Sequence, residues 1–215
     1  MSIITPEIEY VDRSIESIRY LEHGWPSDLC RWHSHREFEL HLIVATRGKA
    51  FVGDYIGEFR PGSLFLTGPH LPHNWVTDEI TSRQVSTRDM LVQFDQESVN
   101  SLSLAFPEFD DMRQMFELAR SGIEFHGFDV KLVQRRMAEI RDSSGPARIL
   151  AFLQLLVEMN QHAEMRQLSV VAVTQPEDSN KHTRIASVVD HITQHFAADI
   201  ALETAAAPAW MSPTR

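Results

Sequence analysis

The sequence predicts an α+β fold, in which a β-rich first half is followed by helices. Up to about residue 95, apolar side chains recur at every second position, which is the period of a strand. Turn-forming residues interrupt these runs at close spacing, as they do in a small barrel or sandwich. Beyond that point the spacing changes to three and four, which is the period of a helix. The apolar fraction of 43% is sufficient for a packed core.

The alternation places the strands and turns of the first half. In the clearest strand, Phe38, Leu40 and Leu42 alternate with Glu39 and His41. Strands are predicted over 38–45, 50–52, 64–66 and 90–94, and turns over 47–49, 53–54, 56–57 and 60–63. In the last of these turns a proline presets φ and a glycine is free to take a positive φ.

Helical spacing marks the second half of the chain. Apolar side chains predict a helix over 107–120, and Asp129 can cap a second helix. A stronger helix over 146–165 follows Ser144 and Gly145, and it is apolar on more than one face. Its apolar surface must be buried, either by a partner subunit or by the helices of its own domain.

The last part of the chain predicts a linker and then further helices. Residues 174–182 are polar, contain a proline and lack periodicity, as a linker does. An amphipathic stripe over 185–196 predicts a helix, and residues 202–207 predict a shorter one. Ser212 and the proline after it have the start signals of a third helix, but the sequence ends at Arg215. A helix of that length is not stable.

Charge and cysteine content narrow the possible function classes. The net charge of −10, with three lysines among 20 basic residues, argues against a free-standing nucleic-acid-binding protein. The single cysteine, Cys30, excludes an intrachain disulfide and suits a reducing compartment. The first residues have neither a basic nor an apolar segment, so we expect no signal peptide, and no apolar run in the sequence is long enough to span a membrane. The sequence therefore predicts a cytoplasmic protein that has no membrane partner.

Histidines and carboxylates form the most specific motif in the sequence. His33 and His35 are two positions apart, so they project from one face of a strand. Glu37 and Glu39 both share this parity, and alternation alone does not choose between them. Two imidazoles and a carboxylate can therefore converge on one small polar pocket.

A returning segment brings a further histidine to this pocket. His73 is the candidate, and His70 in the preceding turn is the alternative. The resulting set can hold a divalent metal or orient a polar ligand by hydrogen bonds, and the pattern leaves both possibilities open. Trp32 and Trp75 flank these residues, and they could either stack on an effector or pack at the rim of the pocket.

Two groups of motifs resemble a known protein family. The first group consists of His33-Ser34-His35 with Glu39, Gly53-Asp54, and residues 59–64 and 68–73. The second group consists of residues 188–192, 195–196, 199–202 and 211–213. In this order they resemble the cupin-type effector-binding barrel and the opening of the DNA-binding domain of the AraC family of bacterial transcription regulators. The helices between the two groups match the family only by position.

The resemblance implies a domain plan and a function. It implies a cupin-like effector-binding barrel over 1–95, a helical dimerisation and coupling region over 96–173, the linker over 174–182, and the start of a helix-turn-helix DNA-binding domain over 183–215. The implied function is a transcription regulator in which a small-molecule effector in the cupin pocket controls sequence-specific DNA binding. Because the sequence ends where the recognition helix begins, we expect a truncated regulator. We expect it to form a homodimer but not to read a promoter by itself.

The resemblance also implies which residues form the site. His33, His35, Glu39 and His73 match the four metal-binding positions of cupin enzymes, and only the resemblance favours Glu39 over Glu37. In a regulator these four residues would bind the effector together with Trp32 and Trp75. A zinc, nickel, manganese or iron ion is a possible cofactor.

Other implied roles concern DNA and two alternative functions. Ser212, Thr214 and Arg215 would contact DNA from the start of the recognition helix. One alternative function is a metal-dependent cupin enzyme, a dioxygenase or isomerase, that uses the same four pocket residues. The other is a regulator-like fragment that forms mixed dimers with a full-length paralogue.

Overall fold

The computed structural model describes residues 7–8, 16–27, 31–78, 83–170, 188, 191 and 200–207, and the structural statements below concern these residues. The strands are β1 (Glu7–Ile8), β2 (Ile18–Trp25), β3 (His33–Ser34), β4 (Phe38–Ile43), β5 (Gly48–Val52), β6 (Tyr55–Phe59), β7 (Leu64–Thr67), β8 (His73–Thr77), β9 (Val85–Phe94), β10 (Ile123–His126) and β11 (Glu164–Gln167). The helices are α1 (Gln96–Ala105), α2 (Arg113–Ala119), α3 (Val130–Asp142), α4 (Gly145–His162) and α5 (Leu202–Ala206), with a 3-10 helix over Pro107–Met112.

The strands form two sheets that share an interior. One sheet has five strands in the order β1-β3-β8-β5-β6, and the other has six in the order β11-β10-β7-β4-β9-β2. A buried apolar cluster joins Ile43 and Phe65 of the six-stranded sheet to Val52 and Trp75 of the five-stranded sheet. The rings of Phe65 and Trp75 stack with centroids 4.4 Å apart. The inner faces of both sheets therefore pack on one core, as in a sandwich.

Strand β4 separates this interior from a second core. Its even-numbered residues Phe38, Leu40 and Leu42 pack in a cluster with the helices. Its odd-numbered residues Glu39 and His41 lie on the opposite face, toward the five-stranded sheet. All six residues of the strand are buried. Because both faces are covered, the alternation in the sequence separates polar from apolar surroundings rather than exposed from buried ones.

The helices cover the outer face of the six-stranded sheet. Phe152, Leu155 and Leu156 of α4 are buried in the same cluster as Phe38 and Leu40. Of the two interpretations of this helix, packing on its own domain is therefore observed.

Two helix signals read from the sequence are confirmed. The Asp129 carboxylate accepts hydrogen bonds from the backbone N–H groups of Lys131 and Leu132 and caps α3. Helix α4 begins at Gly145 with a proline in its first turn, as predicted, and ends at His162.

Several boundaries predicted from the sequence were wrong. The described strands form two sheets rather than a closed barrel. Strands β10 and β11 lie beyond residue 95, in the region predicted to be helical, and they extend the six-stranded sheet beside β7. They are short, and their sequences do not alternate clearly. Only the pairing of β10 with β7 and of β11 with β10 makes them strands.

Two predicted turns are parts of strands. The predicted turn over 47–49 fails because Gly48 pairs with Phe59 and Thr77. A Cβ at position 48 would lie 2.0 Å from the Val76 carbonyl oxygen, so glycine is needed for this close strand approach. The predicted turn over 56–57 lies within β6 for a similar reason, because it pairs with β5. The turns over 53–54 and 60–63 are confirmed, and Ser63 N–H donates to the Arg60 carbonyl in the second.

Little of the C-terminal region is described. The predicted short helix is observed as Leu202–Ala206. The linker over 174–182 and the start signals at Ser212, Thr214 and Arg215 lie outside the described residues, as does Cys30. The domain boundaries stay predictions. None of the helices in the described part of the chain is both long enough and apolar enough to cross a membrane.

Candidate metal centre

Three histidines and one glutamate meet between the two sheets. His33 of β3 pairs directly with His73 of β8, His35 follows β3, and Glu39 projects from β4. One donor atom from each residue lies within 4.8 Å of all the others. His35, Glu39 and His73 are at most 2% exposed, whereas His33 is partly exposed and lies on the accessible side of the group. The structure therefore brings together the four residues that the sequence singled out.

Backbone carbonyls fix the orientation of all three imidazoles. The Nδ1–H group of His33 donates to the Arg31 carbonyl at 2.8 Å, and that of His73 donates to the Leu71 carbonyl at 2.8 Å. The Nδ1–H group of His35 donates to the Glu37 carbonyl at 3.1 Å. A carbonyl can only accept, so each Nδ1 carries a hydrogen. In the neutral form of such a ring, Nε2 is the nitrogen that can bind a metal.

In this neutral form, most of the nitrogen and oxygen atoms that face one another in the site are hydrogen-bond acceptors. His35 Nε2 lies 3.1 Å from Glu39 Oε2, and His73 Nε2 lies 3.5 Å from Glu39 Oε1. In the described part of the chain the buried His73 Nε2 has no hydrogen-bond partner. Lone pairs that face a carboxylate repel it unless a cation or a proton lies between them. A metal cation or a proton at this position would relieve the repulsion.

The pKa shifts favour the ligating protonation states at neutral pH. Burial, together with the neighbouring charge of His73, lowers the pKa of His33 to about 3. Burial alone would raise the pKa of Glu39, but its close contacts with His35, His41 and His73 hold it well below its usual range. A neutral His33 ring and an anionic carboxylate are forms that coordinate a metal.

The donor set fits a first-row divalent metal ion. Three imidazole nitrogens and one carboxylate oxygen are ligands of Zn²⁺, and imidazole also suits nickel and iron. Bond lengths of about 2.1 Å correspond to donor separations of about 3.4 Å at a tetrahedral ion. The largest separation of 4.8 Å must therefore shorten on binding. The ligand types therefore suit such an ion, and the ligand atoms lie slightly farther apart than they would around a bound metal.

The two alternatives from the sequence are placed outside the donor set. Glu37 is buried just before β4 begins, and its carbonyl serves as the acceptor for His35. His70 has a positive φ of 62° in the turn before β8, and its N–H donates to the His35 carbonyl. Neither belongs to the group of four donors.

The two tryptophans differ in their surroundings. Trp75 is buried in the inner core against Phe65, whereas Trp32 is 8% exposed and adjoins His33. In the described residues Trp32 Nε1 has no hydrogen-bond partner, and neither does the buried Oγ1 of Thr67, which lies opposite Glu39 on β7. Both groups can donate to a bound ligand. The roles of Trp32 and Trp75 toward an effector stay predictions.

Sequence reasoning missed other polar groups in this interior. Gln93 donates to Glu39 Oε2 at 3.1 Å, and Asp89 faces His41. Both project from β9, at odd-numbered positions like Glu39. The signal available in the sequence was the charged pair Arg88-Asp89 at the edge of an apolar strand.

Comparisons with known proteins gave only distant similarities. No family model matches the chain, and no curated protein matches its sequence. Its structure is similar to that of the AraC-like transcriptional activator CuxR, with 12% identity and a TM-score of 0.39, over 93% of this chain and 65% of that one. The chain thus spans just under two thirds of the CuxR chain.

Two structures of ToxT from Vibrio cholerae are also similar. The first has 7% identity and a TM-score of 0.43, over 92% of this chain and 78% of that one. The second, from strain O395, is bound to (E)-4-(8-methylnaphthalen-1-yl)but-3-enoic acid and has 7% identity and a TM-score of 0.38, over 92% of this chain and 91% of that one. Scores this low do not establish a common fold, so the functional case depends on the residues of this chain.

Proposed function

We propose that this chain is the sensing part of an effector-responsive transcription regulator of the AraC type, and that a divalent metal held by His33, His35, Glu39 and His73 forms its receptor site. The observation that carries the metal site is the donor set. Three imidazoles have Nδ1 committed to carbonyls, and a carboxylate faces their Nε2 atoms. The regulator assignment is supported by the sequence motifs at the two ends of the chain.

The residues of the site have separate tasks in this proposal. A bound metal would supply a Lewis-acid position for a polar effector. His35, Glu39 and His73 hold that position in the dry interior, and the partly exposed His33 lies on the side from which a ligand enters. Trp32 Nε1–H and the Thr67 hydroxyl are available to donate to the effector.

The remainder of the proposal concerns coupling to DNA. An effector that binds one conformation better shifts the population toward that conformation. The helices over 96–173 would form a homodimer and pass this shift through the linker over 174–182 to the DNA-binding residues after 183. Leu150 of α4 is 69% exposed, and it supplies an apolar contact for such a dimer.

The metal site is tested by titrating the metal-free protein with Zn²⁺, Ni²⁺, Mn²⁺ and Fe²⁺ in a calorimeter. We expect one tight site per chain for at least one ion, which Glu39→Gln and His73→Gln abolish. His126→Gln is the matched control, because His126 lies at the surface and outside the group of four. Absence of micromolar binding to the wild-type chain would rule out the receptor site as proposed.

The sensing role is tested by fusing the whole chain to a DNA-binding module that represses a reporter only as a dimer. We expect repression that changes with the metal supply in the wild-type fusion and does not change in Glu39→Gln. Stoichiometric iron with oxygen consumption or substrate turnover would instead support the cupin enzyme. Constant repression in a metal-binding fusion would contradict the sensor.

A further inference from the structure

Glu39 contacts a second set of buried groups besides the donor set. His41 Nδ1 lies 2.7 Å from Glu39 Oε1, and the opposite nitrogen, Nε2, lies 3.3 Å from Asp89 Oδ2. All three residues are at most 2% exposed. An imidazole is thus held between two buried carboxylates, one of which belongs to the candidate metal centre.

Asp89, the carboxylate on the side of His41 away from Glu39, is held in place by further contacts. Arg88 Nε–H donates to Asp89 Oδ2 at 2.7 Å, and Arg88 Nη1–H donates to the Trp75 carbonyl on the other sheet at 3.0 Å. His23 Nδ1 lies 3.0 Å from Asp89 Oδ1. Burial would raise the pKa of Asp89, but the charge of His41, hydrogen bonds from His23 and His41, and the charge of Arg88 together hold it well below its usual range.

The position of the His41 ring depends on these carboxylates. Burial would lower the pKa of His41, but the charge of Asp89 and contacts with both carboxylates raise it. Trp75 Nε1 also lies 2.9 Å from His41 Nδ1, and one nitrogen cannot both accept from the indole and donate to Glu39. The contact with Glu39 is the shorter of the two, at 2.7 Å, and a buried carboxylate has a greater need of a donor than the indole has of an acceptor, so we infer donation from His41 Nδ1–H to Glu39.

We propose that Asp89 and His41 are positioning residues of the metal centre, in which Asp89 holds the His41 ring and His41 holds Glu39 Oε1, so that the carboxylate of Glu39 keeps facing His35 and His73. This inference rests on the proposed metal site and adds two residues to it. Asp89 does not belong to the donor group, yet its loss changes the affinity for the ion. Outer partners of this kind typically alter metal affinity by 10- to 100-fold.

A purely structural role for Asp89 makes a different prediction. Through Arg88, Asp89 helps to join the two sheets, so its loss would lower stability in either case. A structural role would leave the affinity and the coordination geometry of the folded variant unchanged. The decisive measurements are therefore the Zn²⁺ dissociation constant and the visible spectrum of bound Co²⁺, which reports coordination geometry.

The experiment compares Asp89→Asn and His41→Phe with the wild-type chain. Zn²⁺ affinity is measured by competition with a chromophoric chelator, and folding is checked by circular dichroism. We expect both variants to bind Zn²⁺ about 10- to 100-fold more weakly and to shift the Co²⁺ spectrum. Asp142→Asn, which removes an exposed carboxylate, is the matched control and should bind like the wild type.

The outcomes separate this inference from the proposed function. If the wild-type chain binds neither Zn²⁺ nor Co²⁺, the metal centre itself is overturned. If the wild type binds both ions and the two folded variants match its affinity and spectrum, only the positioning role is overturned. Should Asp89→Asn fail to fold, His41→Phe decides alone, because it leaves the Arg88–Asp89 pair in place.

Discussion

Between pH 7 and pH 5, protonation of His33 in the unfolded chain should lower the stability of the metal-free protein by about 2 kcal/mol. Replacing His33 with glutamine should remove this loss. The prediction follows from the burial of the ring, which lowers the pKa of His33 from 6.5 to about 3. Between these two values the unfolded chain binds a proton at His33 and the folded chain does not. The unfolded state then binds more protons, so this contribution to stability falls as the pH falls.

The magnitude depends mainly on the unfolded state. At pH 5 an unfolded histidine favours its protonated form by roughly thirtyfold, which corresponds to about 2 kcal/mol. At pH 7 the same contribution is only about 0.2 kcal/mol. The difference changes little for any folded pKa below about 4, because the folded ring is then almost unprotonated at pH 5.

The assay is urea unfolding of the metal-free protein at the two pH values, with a chelator present. Wild type and His126→Gln, which alters a surface histidine outside the group of four, are the two reference proteins. His33→Gln should lose about 2 kcal/mol less. Identical losses in all three proteins would refute the assignment of a buried, neutral His33.

Three further predictions concern other parts of the molecule. In thermal unfolding, Zn²⁺ at about one hundred times its dissociation constant should stabilise the wild type by about 2.7 kcal/mol and leave Glu39→Gln unchanged. Equal stabilisation of the two proteins would exclude Glu39 as a ligand. Asp129→Ala should cost about 1 kcal/mol in urea unfolding, since it removes the cap of α3, and an unaltered midpoint would show that the cap contributes nothing. Leu150→Asp should convert a dimer into a folded monomer in sedimentation experiments, and a persisting dimer would place the interface elsewhere.

The sequence predicted the local features well, because they depend on neighbouring residues. The alternation predicted a strand over 38–45, which is observed as β4 over Phe38–Ile43, and Glu39 and His41 do lie on one face. The cap at Asp129 and the start of α4 were read from single residues and are observed. Strands β2, β6 and β8 were not predicted, because their patterns are weak without their pairing partners.

The site was only partly determined by the sequence. His33 and His35 could be placed together from their spacing, but the same parity rule admitted Glu37 as well as Glu39. The start of β4 at Phe38 and its pairing with β7 and β9 brought Glu39 into the group, while Glu37 stayed in the preceding bend. His73, rather than His70, belongs to the group because strand β8 pairs with β3 at the position of His33.

By itself, then, the sequence determined the residue types of the donor set and the strand faces that carry them, since period-two geometry is local. The tertiary structure decided which carboxylate takes part and which groups hold it. Gln93 contacts Glu39, Asp89 contacts His41, and Arg88 contacts Asp89. The pairing of β4 with β9 brings these residues together, although they are far apart along the chain. Contacts between distant strands depend on register and sheet packing, which no short stretch of sequence specifies.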